Sequence, residues 1–167
     1  MDEVDEVVQV DGGIVVGHDG SKCAQEALTW AAALAARADL DLHVVRAWSL
    51  MSAPKPPSWQ PGFVPPLADY EKAVLDELSS HVRAARLAPS VRISCHVVHK
   101  QPAQALMQAA EGADLLIVGA RGRGGFAGLL LGSVSDQLVH HAACPVTVVR
   151  PGFSSGLTGR AHAGNPG

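Results

Sequence analysis

The chain has 167 residues, 47% of them hydrophobic and 17% charged, and a net charge of −3, which is typical of one ordinary globular domain. This charge argues against a nucleic-acid partner, and the three cysteines, odd in number and far apart, do not favour a disulfide framework or a zinc site. The N-terminus is acidic where a signal peptide is basic, and no run approaches the roughly 20 apolar residues of a membrane span. We therefore expect a cytoplasmic protein without a membrane partner.

The first elements predict a strand, a turn and a helix. Residues 1–12 are an acidic lead-in that we expect to be frayed. Residues 13–17 are continuously apolar, which is typical of a strand buried on both faces of a parallel sheet. The turn that follows ends in Ser21, a good N-cap, and an alanine-rich helix runs to about Arg37. Asp19 therefore lies at the carboxyl end of the sheet, where open α/β folds bind ligands.

A proline-rich segment separates the second strand from the second helix. The second strand is predicted over residues 40–47, and residues 49–68 carry six prolines, which excludes regular secondary structure. This segment is longer than a plain connection, so we interpret it either as a mobile flap over the ligand edge, using Trp59 and Phe63, or as disordered.

The middle of the chain continues the alternation of helices and strands. Asp69 can cap a helix that runs to about Leu87, and the predicted buried face of this helix consists of Val74, Leu75, Leu78 and Val82. Residues 91–97 alternate between apolar and polar, which predicts a strand at a sheet edge. Pro102 favours the start of a third helix, and residues 114–118 form a fourth strand.

A glycine-rich stretch, residues 119–135, follows the fourth strand and leads into an amphipathic helix. This order of strand, loop and helix is typical of phosphate binding. Gly119 and Gly122 can take positive φ and let backbone amides approach a ligand without a Cβ in the way. Gly132 and Ser133 open the helix where its amides favour an anion, and Ser135 adds a second hydroxyl. A P-loop is excluded because no lysine follows Lys100. A dinucleotide-binding loop needs an acidic residue about 20 positions further on to hold the ribose, and the last acidic residue of the chain is Asp136.

The last strand, residues 145–149, carries no charge until Arg150. As the terminal strand of the sheet it should lie at an edge, and so apolar an edge is explained if the same strand of a second subunit covers it. From residue 152 onward the chain is rich in glycine, serine and alanine without periodicity, which predicts a disordered tail. The single domain is thus predicted over residues 13–151.

Five strands alternating with four helices predict a parallel α/β sandwich with helices on both faces. The spacing Gly-x2-Gly-x9-Gly-Ser, met by Gly119, Gly122, Gly132 and Ser133, resembles the nucleotide-binding signature of the universal stress protein family, in its ATP-binding branch. The resemblance covers roughly residues 11–151. It implies an open sheet of order 3-2-1-4-5, of the Rossmann-like, adenine nucleotide alpha hydrolase-like type, and homodimers formed through the fifth strand, at Val146–Val149.

The same resemblance implies a set of ligand contacts. Asp19 stands where the family contacts the ribose, and Ala47 and Val118 where it flanks adenine. The phosphate and ribose contacts map to Gly119, Gly122, Gly132, Ser133, Val134 and Ser135. Asp19, Ser133 and Ser135 can equally be read as helix caps, and Arg121 and Arg123, which lie in the loop, can either bind phosphate or serve solubility.

The function that this resemblance implies is ATP binding, with or without Mg²⁺, in a nucleotide-dependent regulatory or stress-response protein. Fast turnover is not expected, because the chain lacks a P-loop lysine, a second acid placed for Mg²⁺ and an identifiable base; no catalytic or metal-binding residue is predicted. Two alternatives stay open. One is a slow ATPase or phosphotransferase in which Asp19 holds the metal and Arg121 or Arg123 stabilises the leaving charge, and the other is a dimeric scaffold that binds no nucleotide.

Overall fold

Five parallel strands form one open sheet in the computed structural model, which describes residues 5–123 and 128–152. The strand order is β3-β2-β1-β4-β5, as the family resemblance implied. The strands are β1 Ile14–Gly17, β2 Leu42–Trp48, β3 Ile93–His99, β4 Leu115–Gly119 and β5 Val146–Val149. The helices are α1 Lys22–Ala38, α2 Leu67–Ala84, α3 Pro102–Ala110 and α4 Ser133–His141. All four strand pairings are parallel, which confirms the predicted fold class.

The alternating side chains of the strands divide the core into two layers. Ile14 and Val16 of β1 pack with α1 and α2 on one face, whereas Val15 packs with α3 and α4 on the other. Every residue of β1 is buried, because this central strand is covered on both faces. The core therefore lies on both sides of β1, and the C-terminal end of β1 is left as the place where a ligand can approach.

Helix ends follow the local sequence in one case and depart from it in another. Ser21 is the N-cap of α1, and its hydroxyl accepts a hydrogen bond from the Ala24 amide at 3.2 Å, as predicted. The N-cap of α2 is Pro66 and the helix begins at Leu67, so the prediction that Asp69 caps it is wrong. Proline fixes its own φ, here −56°, at a value suited to the start of a helix, and α2 therefore begins inside the segment 49–68 that was predicted to lack regular structure. Leu75, predicted to be buried, is 38% exposed.

The edge strand β3 agrees with the sequence prediction, whereas the N-terminal segment does not. The strand β3 lies at an edge, as predicted. The lead-in, however, is not frayed over residues 5–12, because Val8 is only 3% exposed and the Asp5 carbonyl accepts a hydrogen bond from the His99 amide at 2.8 Å. An apolar side chain that packs against α3 and the sheet outweighs the acidic composition of this segment.

The proline-rich segment, residues 49–68, packs partly onto the domain. Trp59 is partly buried against the α1/α2 layer, and Phe63 is exposed and bridges back to Gln60. Of the predicted tail, residues 153–167 lie outside the described residues, as do residues 124–127 of the glycine-rich stretch. None of the described helices combines the length and the apolar character needed to cross a membrane.

Candidate functional site

A cavity of about 480 Å³ opens at the C-terminal ends of β1, β2 and β4. It lies beside the point where β1 pairs with β2 on one side and with β4 on the other, so that the chain order reverses there. Such a switch point is where open α/β sheets hold ligands. All eleven residues that were predicted from the sequence to contact a ligand line this one cavity.

The turn after β1, residues 18–21, is called the β1 turn below, and it presents a carboxylate that is fixed at both oxygens. Asp19 Oδ1 accepts a hydrogen bond from the Ser21 amide, and Oδ2 accepts one from the Arg123 amide, each at 2.9 Å. Burial raises the pKa of Asp19, but the hydrogen bonds from Ser21 and from the Arg123 amide outweigh it and hold the pKa below its ordinary value. Asp19 is therefore ionised at neutral pH, and Ser21 rather than Asp19 caps the helix.

His18 lies beneath this carboxylate and was not nominated from the sequence. It is almost completely buried; its Nδ1 accepts a hydrogen bond from the Gly20 amide at 3.1 Å, and its Nε2 lies 2.9 Å from Gln25 Oε1. Burial lowers the pKa of His18, the bond to Gln25 opposes this shift, and the nearby His81 adds to it. A neutral ring with its proton on Nε2 satisfies both contacts, so His18 holds the β1 turn in shape.

The loop after β4, residues 120–132, is called the β4 loop, and glycines let it pass close to the β1 turn. A Cβ on Gly122 would stand 2.6 Å from Asp19 Oδ2, and one on Gly119 would stand 2.8 Å from Cys23 Sγ. Neither glycine has positive φ, so that part of the prediction is wrong. The reason for glycine at these positions is close approach, whereas positive φ occurs at Gly20, at +84°.

The N-terminus of α4 closes the β4 loop and faces the cavity. Gly132 is its N-cap, so neither Ser133 nor Ser135 caps the helix with its side chain. The Ser135 hydroxyl is buried and lies 2.9 Å from the Ala120 carbonyl, to which it donates, which leaves its lone pairs for a ligand. Ser133 is exposed at the rim of the cavity. A helix N-terminus with a glycine cap presents free backbone amides, which favour an anion.

One wall of the cavity is apolar. Ala47 at the end of β2 and Val118 at the end of β4 face the same layer, together with Val134 of α4. Leu106 of α3 closes the wall from the side. These side chains form a surface without charge, which suits a flat apolar group.

The rest of the lining is rich in positive charge. Arg121 and Arg123, which the sequence left undecided, both line the cavity, and so does Arg46 of β2. The Nε atom of Arg121 is buried and finds no hydrogen-bond partner within the described residues. Among the described lining residues these three guanidinium groups face a single carboxylate, that of Asp19. Arg46 was missed, although a charged residue inside an otherwise apolar strand was a signal that could have been followed.

A metal site does not emerge from the described residues, where no group of three or more histidine, cysteine or acidic side chains is placed to hold an ion. Asp19 is the one carboxylate in the described lining, and each of its oxygens already accepts a hydrogen bond from a backbone amide. Each oxygen keeps a second lone pair, so Asp19 can still accept from a ligand hydroxyl.

Comparison with known proteins places this architecture in a family. The model of the universal stress protein family matches residues 13–150. The chain belongs to the universal stress protein family. Universal stress protein Rv2623 of Mycobacterium tuberculosis is 38% identical to it over 143 residues, which cover 82% of this chain and 44% of that relative. A universal stress protein of Mycolicibacterium smegmatis is 35% identical over 145 residues, with coverages of 83% and 45%. This universal stress protein chain thus spans less than half the length of these curated relatives.

Solved structures of universal stress proteins share the fold. One, a universal stress protein in complex with cAMP, is 27% identical, with a TM-score of 0.58 over 84% of this chain and 96% of that one. The universal stress protein UspA from Lactobacillus plantarum is 23% identical, with a TM-score of 0.65 over 86% and 99% of the two chains. The second likeness concerns the fold alone.

Proposed function

We propose that this chain binds an adenine nucleotide in the cavity at the sheet switch point, with ATP as its ligand, with or without Mg²⁺. The observation that carries the proposal is the division of the cavity into an apolar wall and a cationic part, three guanidinium groups against one carboxylate in the described lining. A nucleotide has the same division, since its base is flat and largely apolar and its phosphates are anionic. The cAMP complex of a related universal stress protein supports this ligand class.

Each part of the nucleotide has a matching part of the cavity. The base fits against Ala47 and Val118, and the ribose hydroxyls can donate to the ionised Asp19 carboxylate. The phosphates fit the amides at the N-terminus of α4, with Arg121 and Arg123 beside them.

The proposed role is that of a nucleotide-dependent regulatory or stress-response protein rather than a fast enzyme. Phosphoryl transfer usually needs a group that positions water or a hydroxyl and acids that hold Mg²⁺. In the described lining, the one carboxylate is already engaged by two amides, and the buried His18 is committed to Gly20 and Gln25. The cytoplasmic location and the lack of nucleic-acid or membrane partners stay predictions from composition.

Titration calorimetry with ATP on the Arg121→Gln variant tests the site. Charge-assisted hydrogen bonds contribute about 1.5–3 kcal/mol, so we expect ATP to bind roughly 10- to 100-fold more weakly than to the parent protein. Arg83→Gln, on the exposed surface of α2, is the matched control and should bind ATP as the parent does. Equal ATP affinity in all three proteins would contradict the assignment of Arg121 to phosphate.

We also propose a homodimer formed through β5. Val146, Thr147 and Val148 are only partly buried at this sheet edge, and no charge discourages pairing before Arg150. Val148→Lys should therefore be a monomer by light scattering, whereas Leu75→Lys, on α2 at the other side of the sheet, should keep the parent's mass. A dimer that survives Val148→Lys would refute the β5 interface.

A further inference from the structure

Arg46 is a buried cation with unused hydrogen-bond donors. It lies near the end of β2, its side chain is only 2% exposed, and it lines the cavity. Its Nη1 stands 2.7 Å from Glu77 Oε2 of α2 as an ion pair, but the two atoms are not aligned for a hydrogen bond. Within the described ranges 5–123 and 128–152, this Nη1 atom finds no hydrogen-bond partner. A guanidinium carries five N–H donors, and buried donors are nearly always satisfied.

A second guanidinium converges on the same place. The Cβ that Gly20 lacks would stand 3.3 Å from Arg46 Nη1 and would also meet Arg123 Nη2. Glycine, with φ of +84°, has no Cβ here, and the Arg123 guanidinium occupies the space that a Cβ would take. Two like charges brought this close repel each other, and Glu77 is paired with only one of them. An anion placed between them would satisfy both.

We propose that Arg46 and Arg123 form an anion subsite beneath the β1 turn, which takes a phosphate group of the bound nucleotide and makes the cavity select phosphorylated ligands over nucleosides. The inference rests on the proposed function and adds to it a subsite separate from the amides of α4. Glu77 is a positioning residue, because its carboxylate holds one side of the Arg46 guanidinium and leaves the other side to the cavity. Arginine suits this task because its planar fork can bind two phosphate oxygens at once.

The test replaces the whole ion pair rather than one partner. Removing Arg46 alone would leave Glu77 without its counter-charge, whereas replacing a buried ion pair by apolar residues of similar volume is often neutral or stabilising. The double variant Arg46→Met/Glu77→Met should therefore fold with the parent's melting temperature or a higher one. The matched control is Lys72→Met/Asp76→Met, which removes an exposed ion pair of 2.9 Å from the same helix.

Calorimetric titrations with adenosine, AMP, ATP and pyrophosphate then separate the possible outcomes. We expect the Arg46/Glu77 double variant to bind adenosine as the parent does, and AMP or ATP about 10- to 100-fold more weakly. The control should match the parent for every ligand. An equal loss for adenosine and AMP, or no loss for any ligand, would overturn the subsite. Arg46→Lys, which keeps the charge but not the fork, should weaken ATP binding less than the double variant does.

Pyrophosphate distinguishes failure of the subsite from failure of the proposed function. If the parent binds pyrophosphate but no adenine compound, and the double variant loses pyrophosphate, the subsite stands and the adenine assignment falls. If the parent binds none of the four ligands, both proposals fail.

Discussion

The β1 turn and the β4 loop meet at Asp19, yet they are built in opposite ways. The β1 turn is satisfied from within, since His18 accepts from the Gly20 amide, and Ser21 donates its amide to Asp19 while its hydroxyl caps α1. The β4 loop carries a buried Arg121 Nε without a partner in the described residues, and it ends at a helix whose glycine cap leaves amides free.

This difference separates stability from binding at one edge of the sheet. His18 and Ser21 make their contacts within the turn and with α1, so these two residues contribute to folding and hold the Asp19 carboxylate in place for a ligand. A loop with unpaired donors gains its partners when an anion arrives, so its residues contribute to affinity. Changes in the two regions should therefore have different readouts.

The largest effect is expected at the contact between the two regions. Gly122→Ala places a methyl group against Asp19 Oδ2 and should displace the Arg123 amide that donates to the same oxygen. Losing a charge-assisted bond and moving the loop should weaken ATP binding by about 100-fold, measured by titration calorimetry. Gly128→Ala, in the same loop with open space around it, is the control. Parent-like affinity in Gly122→Ala would show that the close approach does not shape the site.

A smaller effect, on stability rather than on ATP affinity, is expected in the β1 turn. Ser21→Ala removes the side-chain cap of α1 and should lower the free energy of unfolding by about 1 kcal/mol in urea titrations. ATP affinity should change less than about threefold, because the Asp19 carboxylate keeps the amide bonds from residues 21 and 123. A large loss of affinity without a loss of stability would reverse the assignment of roles.

The smallest effect concerns pH. The pKa of His18 is lowered below its ordinary value of about 6.5, chiefly by burial. Between the lowered pKa and the ordinary one, His18 is therefore protonated in the unfolded chain but neutral in the folded chain. The stability that this residue contributes is complete above about pH 6.5 and is lost as the pH falls through the lowered pKa. His18→Asn, whose side-chain oxygen can still accept a hydrogen bond from the Gly20 amide, should flatten the fall of the melting temperature as the pH is lowered below about 6.5.

The control for this effect is His141→Asn, on the exposed face of α4, which should keep the parent's pH dependence. A parent-like slope in His18→Asn would mean that His18 titrates in the folded protein as it does in the unfolded chain.

The parts of the site predicted from sequence are those that lie within one segment. The alternation of apolar runs with helical patterns predicted the sheet, and the glycine spacing predicted the β4 loop, because both signals are local. The contact that requires glycine at position 122 was not predicted, because it is made with Asp19, which is distant along the chain. Arg46 and His18 were missed for the same cause, since their partners Glu77 and Gln25 become neighbours only after α1 and α2 pack on the sheet.

Thermal unfolding of nucleotide-free protein with Mg-ATP, ATP alone, adenosine and NAD⁺ tests the central claim most directly. A ligand that binds only the folded state, at about 100 times its Kd, adds about 2.7 kcal/mol of stability, which raises the melting temperature of a domain of this size by several degrees. We predict such a rise with ATP and none with NAD⁺. No rise with ATP, or an equal rise with NAD⁺, would contradict an adenine nucleotide site in this cavity.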